Sequence, residues 1–225
     1  SPSEMTAENT YASPYYTNLR VNKLYGGMAQ DRTYAQDLSI VWNLNSDCEL
    51  IDGLGSNATN TSSERGNMNY NMDPGWSKIS GVWDAEYGII EDANQIIEGI
   101  RSSATLTAGG ANQKSMVYFD LVRIFGDIPF KVEASKSDLS NAYLEKTDRD
   151  VIMDSLMNDL DEAIEYLPWA DQATGYTTER TTKGYAHALL AQIAMTRAGY
   201  AIREKSKDGY ETASYSDATY PTQRP

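Results

Sequence analysis

The segment YNMDPGW, residues 70–76, places aromatic rings beside amide and carboxylate groups, and Trp42-Asn43 repeats that combination. An aromatic face can stack on the apolar face of a sugar ring, while amides and carboxylates hydrogen-bond to its hydroxyls. The composition favours such a surface, because 16 Tyr and 4 Trp stand against 3 Phe, and Tyr and Trp combine an apolar face with a polar group. The residue types therefore predict a carbohydrate-binding site whose candidate ligand contacts are Trp42, Tyr70, Asn71, Asp73 and Trp76.

A packing role is the alternative for each of these aromatic residues. Trp83 falls on the apolar stripe of a predicted helix, and for it we prefer the packing role. For Trp76 the two interpretations carry equal weight. The binding prediction therefore depends on whether Trp76 reaches the surface.

Residue types that support catalysis or metal binding are scarce. The chain has one histidine, His187, set between alanines of a predicted helix, so a structural role is expected for it. This leaves Ser-His-Asp, Cys-His and His-based metal sites without support. The lone cysteine, Cys48, is expected to be a small buried residue. No phosphate-binding glycine motif occurs, so we expect no catalytic residue, no metal and no cofactor.

The net charge of −13 argues against a nucleic-acid partner, since that binding depends on Lys and Arg neutralising phosphates. A pair of carboxylates could in principle hydrolyse a glycosidic bond. Asp150, Asp154 and Glu162 are expected on the solvated side of a helix, and nothing in the sequence singles out one pair. No apolar run approaches the roughly 18 residues that a membrane span needs.

Helical periodicity dominates the elements that must position these residues, and strand signals are weak, which predicts an all-α fold. The candidate site falls in a long loop, residues 52–75, that carries almost no core-forming side chains. A loop of that length is usually functional or disordered. The predicted helices cover 5–29, with a break at Gly26-Gly27, and 32–42, 83–101 (from as early as Trp76), 112–125, 147–167 and 182–201.

Local signals predict how three of these helices begin or end. Asp73-Pro74 could supply the N-cap and first position of the helix near Trp76. Thr147 to Asp150 resembles a capping box with Asp in place of Glu. Gly126 fits the position after a helix, where the backbone is left-handed, and Pro129 keeps Ile128 extended.

Four segments together resemble the SusD/RagB-like nutrient-binding lipoproteins of Bacteroidetes outer membranes. YFDLVRIFGDIPF (118–130) resembles the helix followed by FGD(V/I)P that is typical of the family. Three further matches are WDAEYGIIEDANQII (83–97), TDRDVIMDSLMNDLDEAIEYLP (147–168) and TTKGYAHALLAQIAM (181–195), in the expected order. The resemblance implies tetratricopeptide-like helical hairpins with long irregular loops. Because family chains are longer, residues 1–225 are expected to form an N-terminal portion whose C-terminal part is absent.

The resemblance also implies a function. Family members bind a glycan or another nutrient at the cell surface without cleaving it, and deliver it to a TonB-dependent, SusC-like outer-membrane transporter. They carry a lipid anchor on an N-terminal cysteine; Cys48 is internal and is not that residue. Three alternatives stay open: a helical-repeat scaffold for protein–protein contacts, a peptide-binding nutrient receptor, and a helical glycoside hydrolase.

Overall fold

The computed structural model describes residues 6–43, 48, 73–103, 111–174, 177–199, 201–202 and 222–223. Over these residues the chain is helical, as predicted, and strand pairing is limited to two short antiparallel pairs, β1 with β2 and β3 with β4. None of the helices in these ranges is both long and apolar enough to cross a membrane. The elements are α1 (Ala7–Tyr11), α2 (Pro14–Met28), α3 (Asp37–Asn43), α4 (Ser77–Ser102), α5 (Ala111–Phe125), β1 (Ile128–Pro129), β2 (Lys146–Thr147), α6 (Arg149–Tyr166), α7 (Lys183–Ala198), β3 (Ala201–Ile202) and β4 (Thr222–Gln223).

The described residues fall into two compact units. Unit 1 is drawn from residues up to 117 and from 132–135, and unit 2 from 118–131 and from 136 onward. Helix α4 is the central helix of unit 1, and α1, α2 and α3 all pack against it. The helical spacing of apolar residues in the sequence predicts that Ile97 lies on the buried stripe of this helix, but Ile97 is half-buried and its neighbour Ile96 is buried instead. The buried apolar residues of α4 are Val82, Ile89, Ile90, Ala93, Ile96 and Ile100.

The predicted helix 5–29 is interrupted at a different place from the one expected. It divides into α1 and α2 at Pro14, which occupies the first turn of α2, where its missing N–H is tolerated. Helix α2 continues through Gly26 and Gly27, so the predicted break there is wrong. Gly27 is accounted for by packing, because a Cβ at this position would lie 2.9 Å from Ile89 Cγ1 on α4.

Helix α4 also holds a short non-helical segment, residues 132–135, which we call the strap. The Asn94 side chain donates to the Glu133 carbonyl at 3.2 Å. The Glu91 carboxylate accepts from the backbone N–H of Ser135 at 3.0 Å, and the Glu98 carboxylate accepts from that of Ala134 at 2.8 Å. Because these α4 positions are three and four residues apart, they line one face of the helix.

We expect Asn94→Ala to lower the free energy of unfolding by about 1–2 kcal/mol, because Asn94 is buried and its hydrogen bond to the strap is lost. Urea denaturation followed by circular dichroism measures this. Gln95→Ala is the matched control: its side chain is exposed on the same helix, and we expect a change within about 0.5 kcal/mol. Equal effects of the two substitutions would contradict the role assigned to Asn94.

In unit 2, α6 and α7 form a packed hairpin, the arrangement that the resemblance implies. Arg197 Nε, near the end of α7, donates to Asp154 Oδ1 in the first half of α6 at 3.0 Å, so the helices run antiparallel. The many alanines of α7 predict that a neighbouring helix packs closely against their small side chains, but most of these alanines are exposed. The buried residues are Ile152, Met153, Leu156, Leu160 and Ile164 on α6, and Ala186, Leu189 and Ile193 on α7.

The turn after α5 confirms the role predicted for Gly126. Its φ is 77°, and its N–H donates to the Val122 carbonyl at 2.9 Å, which ends the helix. Asp127 Oδ1 then accepts from both the backbone N–H of Arg149, at 3.1 Å, and its Nε, at 3.0 Å. The predicted capping box is wrong: the N-cap of α6 is Asp148, which accepts from the Asp150 N–H at 2.7 Å, while Thr147 lies in β2.

Candidate functional site at the start of helix α4

A tight turn places Trp76 at the N-cap of α4. Asp73 Oδ1 accepts from the Gly75 N–H at 2.8 Å, and the Asp73 carbonyl accepts from the Trp76 N–H at 3.0 Å. Trp76 makes no side-chain cap, and Asp73 is not the N-cap, so that prediction is wrong. The turn directs the chain into α4 with the Trp76 side chain half-buried.

The Trp76 side chain lines a depression of about 440 Å³ in unit 1. The depression lies between the first turns of α4 and the connection from α2 to α3. Its other lining residues are Arg32, Asp37, Ser77, Lys78, Ser80, Gly81 and Asp84.

An ion pair between α3 and α4 forms one wall of the depression. Lys78 Nζ lies 2.6 Å from Asp37 Oδ1, and the side chains are 19% and 12% exposed. The pair is largely shielded from water, and it links α3 to α4. The Asp37 N–H donates to the Asp31 carbonyl at 2.8 Å, which fixes the start of α3.

Two further charged side chains, Arg32 and Asp84, are exposed at the depression. Neither makes a hydrogen bond or ion pair within the part of the chain that the structure describes. The Arg32 side chain runs along α4, with its Cδ 3.8 Å from where a Cβ of Gly81 would lie. The depression thus combines an aromatic ring with a guanidinium, a carboxylate and serine hydroxyls that can bind a polyhydroxylated ligand.

The five site residues predicted from the sequence lie in different places in the structure. Trp76 lines the depression, and Asp73 lies in the turn that precedes it. Trp42 belongs to α3, whose first residue, Asp37, also lines the depression. Tyr70 and Asn71 lie outside the described residues. The ligand-binding roles of all five residues stay predictions.

Sequence reasoning missed Arg32, Asp37, Lys78 and Asp84. No local signal marks them, because Asp37 and Lys78 are 41 positions apart and meet only when α3 packs on α4. Each separately resembles an ordinary surface charge. The expectation of a buried Cys48 is wrong, since that residue is exposed.

One carboxyl group on α4 is buried away from the depression. Glu86 has no exposed surface, and among the residues that the structure describes neither of its carboxyl oxygens has a hydrogen-bond partner. Burial raises the pKa of Glu86 from 4.5 to about 8, because the charged form loses its hydration. In unit 2, burial likewise raises the pKa of Asp120 to about 7, although the neighbouring Arg123 guanidinium acts in the opposite direction.

Comparisons with known proteins identify similar chains. A sequence model of the SusD-like family, described as starch-binding and associating with the outer membrane, matches residues 9–195. SusD-like protein P2 of Formosa agariphila is 28% identical over 193 residues, which are 80% of this chain and 35% of that protein.

Solved structures show the same fold. A SusD homolog from Bacteroides thetaiotaomicron has a TM-score of 0.76 at 24% identity, over 86% of this chain and 38% of that one. Surface glycan-binding protein A from Bacteroides uniformis has a TM-score of 0.65 at 16% identity, over 81% and 42% of the two chains. These likenesses confirm the predicted tetratricopeptide-like helical fold. The chain spans little more than a third of the length of P2 and of the B. thetaiotaomicron homolog.

Proposed function

Because this chain belongs to the SusD-like family, whose sequence model covers residues 9–195, we propose that it binds a glycan without cleaving it. The observation that carries the proposal is the half-buried Trp76 in a depression shared with the exposed side chains of Arg32 and Asp84. The family description as starch-binding supports a glycan over a peptide as the ligand.

In the proposed complex, Trp76 stacks on the apolar face of a sugar ring. Arg32 donates hydrogen bonds to the sugar hydroxyls, and Asp84 accepts them. We propose that Tyr70 and Trp42 add aromatic surface and that Asn71 binds a hydroxyl. Asp73 contributes by forming the turn that places Trp76. Contacts of this kind give affinities on the order of μM to mM.

We expect Trp76→Ala to weaken glycan binding by about tenfold or more, since the stacking contact is worth at least about 1.4 kcal/mol. Isothermal titration calorimetry against maltoheptaose, cellohexaose, laminarihexaose and xylohexaose measures the loss. Trp83→Phe is the matched control: Trp83 packs against Tyr87 on α4 with ring centroids 4.8 Å apart and does not line the depression. Binding that survives Trp76→Ala unchanged would move the site elsewhere.

The hydrolase alternative has one observation in its favour, because the carboxylates of Asp37 and Asp84 both line the depression. Asp37 is held in an ion pair with Lys78, and this supports a structural role for it. Product analysis of each glycan mixture after prolonged incubation distinguishes the two functions. Intact glycan is expected, and shortened oligosaccharides that disappear in Asp84→Asn would support the hydrolase.

The proposal extends to location and partner. We propose a lipid-anchored protein on the cell-surface side of the outer membrane that delivers its glycan to a TonB-dependent, SusC-like transporter. The family description as associating with the outer membrane supports this. Affinity purification from detergent-solubilised outer membranes is expected to recover the transporter with the protein. Recovery of other proteins in its place would favour the scaffold alternative.

A further inference from the structure

A second tryptophan, Trp169, is held in a fixed position in unit 2. It follows α6 directly, after Leu167-Pro168. The Lys183 N–H donates to the Pro168 carbonyl at 2.8 Å, which joins the two ends of the connection from α6 to α7. The Gln172 N–H donates to the Trp169 carbonyl at 3.2 Å and closes a tight turn on its other side. The backbone on both sides of Trp169 is therefore anchored.

The first two turns of α7 cover one face of the Trp169 ring. The ring stacks on that of His187, with centroids 5.8 Å apart and planes inclined at 23°. Its edge lies over Gly184, where a Cβ would be 3.3 Å from Cζ3. Trp169 nevertheless remains 46% exposed. Because the helix covers one face, this exposure is that of the opposite face and the outer edge.

Exposed polar residues follow Trp169 directly in the chain. Asp171 and Gln172, in the turn that follows, are exposed. The two nearby exposed aromatic residues, Tyr166 at the end of α6 and Tyr185 beside Gly184, carry hydroxyl groups. A protein partner would require a wider apolar area. An exposed flat ring, with carboxylate, amide and hydroxyl side chains close to it in the chain, instead matches a sugar, which presents an apolar face edged by hydroxyls.

We propose that Trp169 is a second carbohydrate-stacking position, in unit 2, separate from the depression that Trp76 lines in unit 1. His187 is its positioning residue, because it holds the indole flat through the stack. The inference rests on the proposed glycan-binding function and adds to it a site that takes the apolar face of a pyranose ring.

Nuclear magnetic resonance of the indole N–H groups tests the proposal directly. The chain has 4 Trp, so the four indole signals can be assigned by single substitutions. We expect maltoheptaose or one of the three hexasaccharides named above to shift the Trp169 signal in a saturable way. The shift should persist in Trp76→Ala. Trp169→Ala removes this signal, so its effect is measured by calorimetric titration in the Trp76→Ala background, where we expect the remaining glycan binding to weaken about tenfold or more; in Trp169→Ala alone the Trp76 signal should still respond.

Two further variants separate a binding role from a structural one. Trp169→Tyr keeps an aromatic face and should retain part of the affinity, whereas His187→Ala should weaken binding at Trp169 without changing the response of Trp76. The remaining backbone spectrum of each variant reports whether unit 2 is folded. A purely structural Trp169 would alter that spectrum and leave glycan affinity unchanged.

Each other outcome overturns the proposal in a distinguishable way. If the glycans shift Trp76 and leave Trp169 unmoved, the second site is wrong and the proposed function stands. If no glycan shifts either signal, both fail. If the Trp169 signal moves with protein concentration and not with sugar, the ring is a contact between copies of the chain.

Discussion

A Glu86→Leu variant should be more stable than the natural chain at pH 7 by on the order of 3–5 kcal/mol. Glu86 is fully buried on the face of α4 that also buries Val82 and Ile90, and its carboxyl oxygens have no hydrogen-bond partner within the described part of the chain. Leucine removes the cost of burying that group and adds apolar contact at similar volume. Urea denaturation followed by circular dichroism measures the gain.

The stability that Glu86→Leu gains over the natural chain should increase as the pH rises. Burial raises the pKa of Glu86 from 4.5 to about 8. Between these values the folded chain keeps a proton that the unfolded chain has released. The contribution of Glu86 to the free energy of unfolding therefore falls by about 1.4 kcal/mol per pH unit as pH rises through this window. Below pH 4.5 the pKa difference does not destabilise the fold, because Glu86 is protonated in both states; above about pH 8 the destabilisation has reached its full size.

Glu86→Gln is the control for charge, because it keeps the shape and a polar group but cannot ionise. Both variants should lose the same part of the pH dependence between pH 5 and 8. Asp120, whose pKa is raised to about 7, contributes a similar slope, but it does so in all three proteins and cancels in the differences. Stability curves that run parallel for the natural chain and both variants would show that Glu86 is solvated or paired.

Gly126→Ala should lower the free energy of unfolding by about 2–4 kcal/mol. The residue has a φ of 77°, a left-handed conformation that costs an L side chain about 1–2 kcal/mol. A Cβ would also lie 2.5 Å from Arg149 Nη2 and 2.9 Å from its Cζ. The guanidinium would have to move, which disturbs its hydrogen bond to Asp127 and adds about 1–2 kcal/mol.

Two comparisons make this prediction specific. Gly88→Ala, on α4, should be neutral or stabilise by about 0.5–1 kcal/mol, because the backbone is helical and none of the described residues has an atom within 4 Å of the added Cβ. In an Arg149→Ala background the steric part disappears, so Gly126→Ala should cost only the conformational part. A cost that is unchanged in that background would rule out the clash with Arg149.

The helical period of apolar residues predicts correctly which residues are buried in some of the helices. On α6 the apolar positions Ile152, Leu156 and Leu160 follow the helical period in the sequence, and they are buried. At other positions, contacts between helices determine the structure, and the local sequence does not contain them. Gly27 continues α2 because its missing side chain accommodates Ile89, a contact that no local rule contains. Glu86 lies at a spacing typical of buried positions on α4, although a carboxylate is typical of the surface. In the structure it is buried.

The candidate site was predictable only in part. Trp76 could be named from its residue type and neighbours, and it lines the depression. Arg32 and the Lys78–Asp37 pair could not, because they come together only when α3 and its preceding connection pack on α4. Trp169 also could not be predicted from the sequence as a binding residue. Its ring becomes a candidate sugar-binding surface only when α7 packs on one face of it.

The attachment of the strap bears on how this protein can change over evolutionary time. Helix α4 binds main-chain groups of the strap, namely the Glu133 carbonyl and the N–H groups of Ala134 and Ser135. Any residue except proline presents those N–H groups, so most substitutions at 134 and 135 leave them intact. The three α4 side chains, by contrast, must keep their chemistry. Related chains can therefore diversify what the strap displays while preserving how it is held.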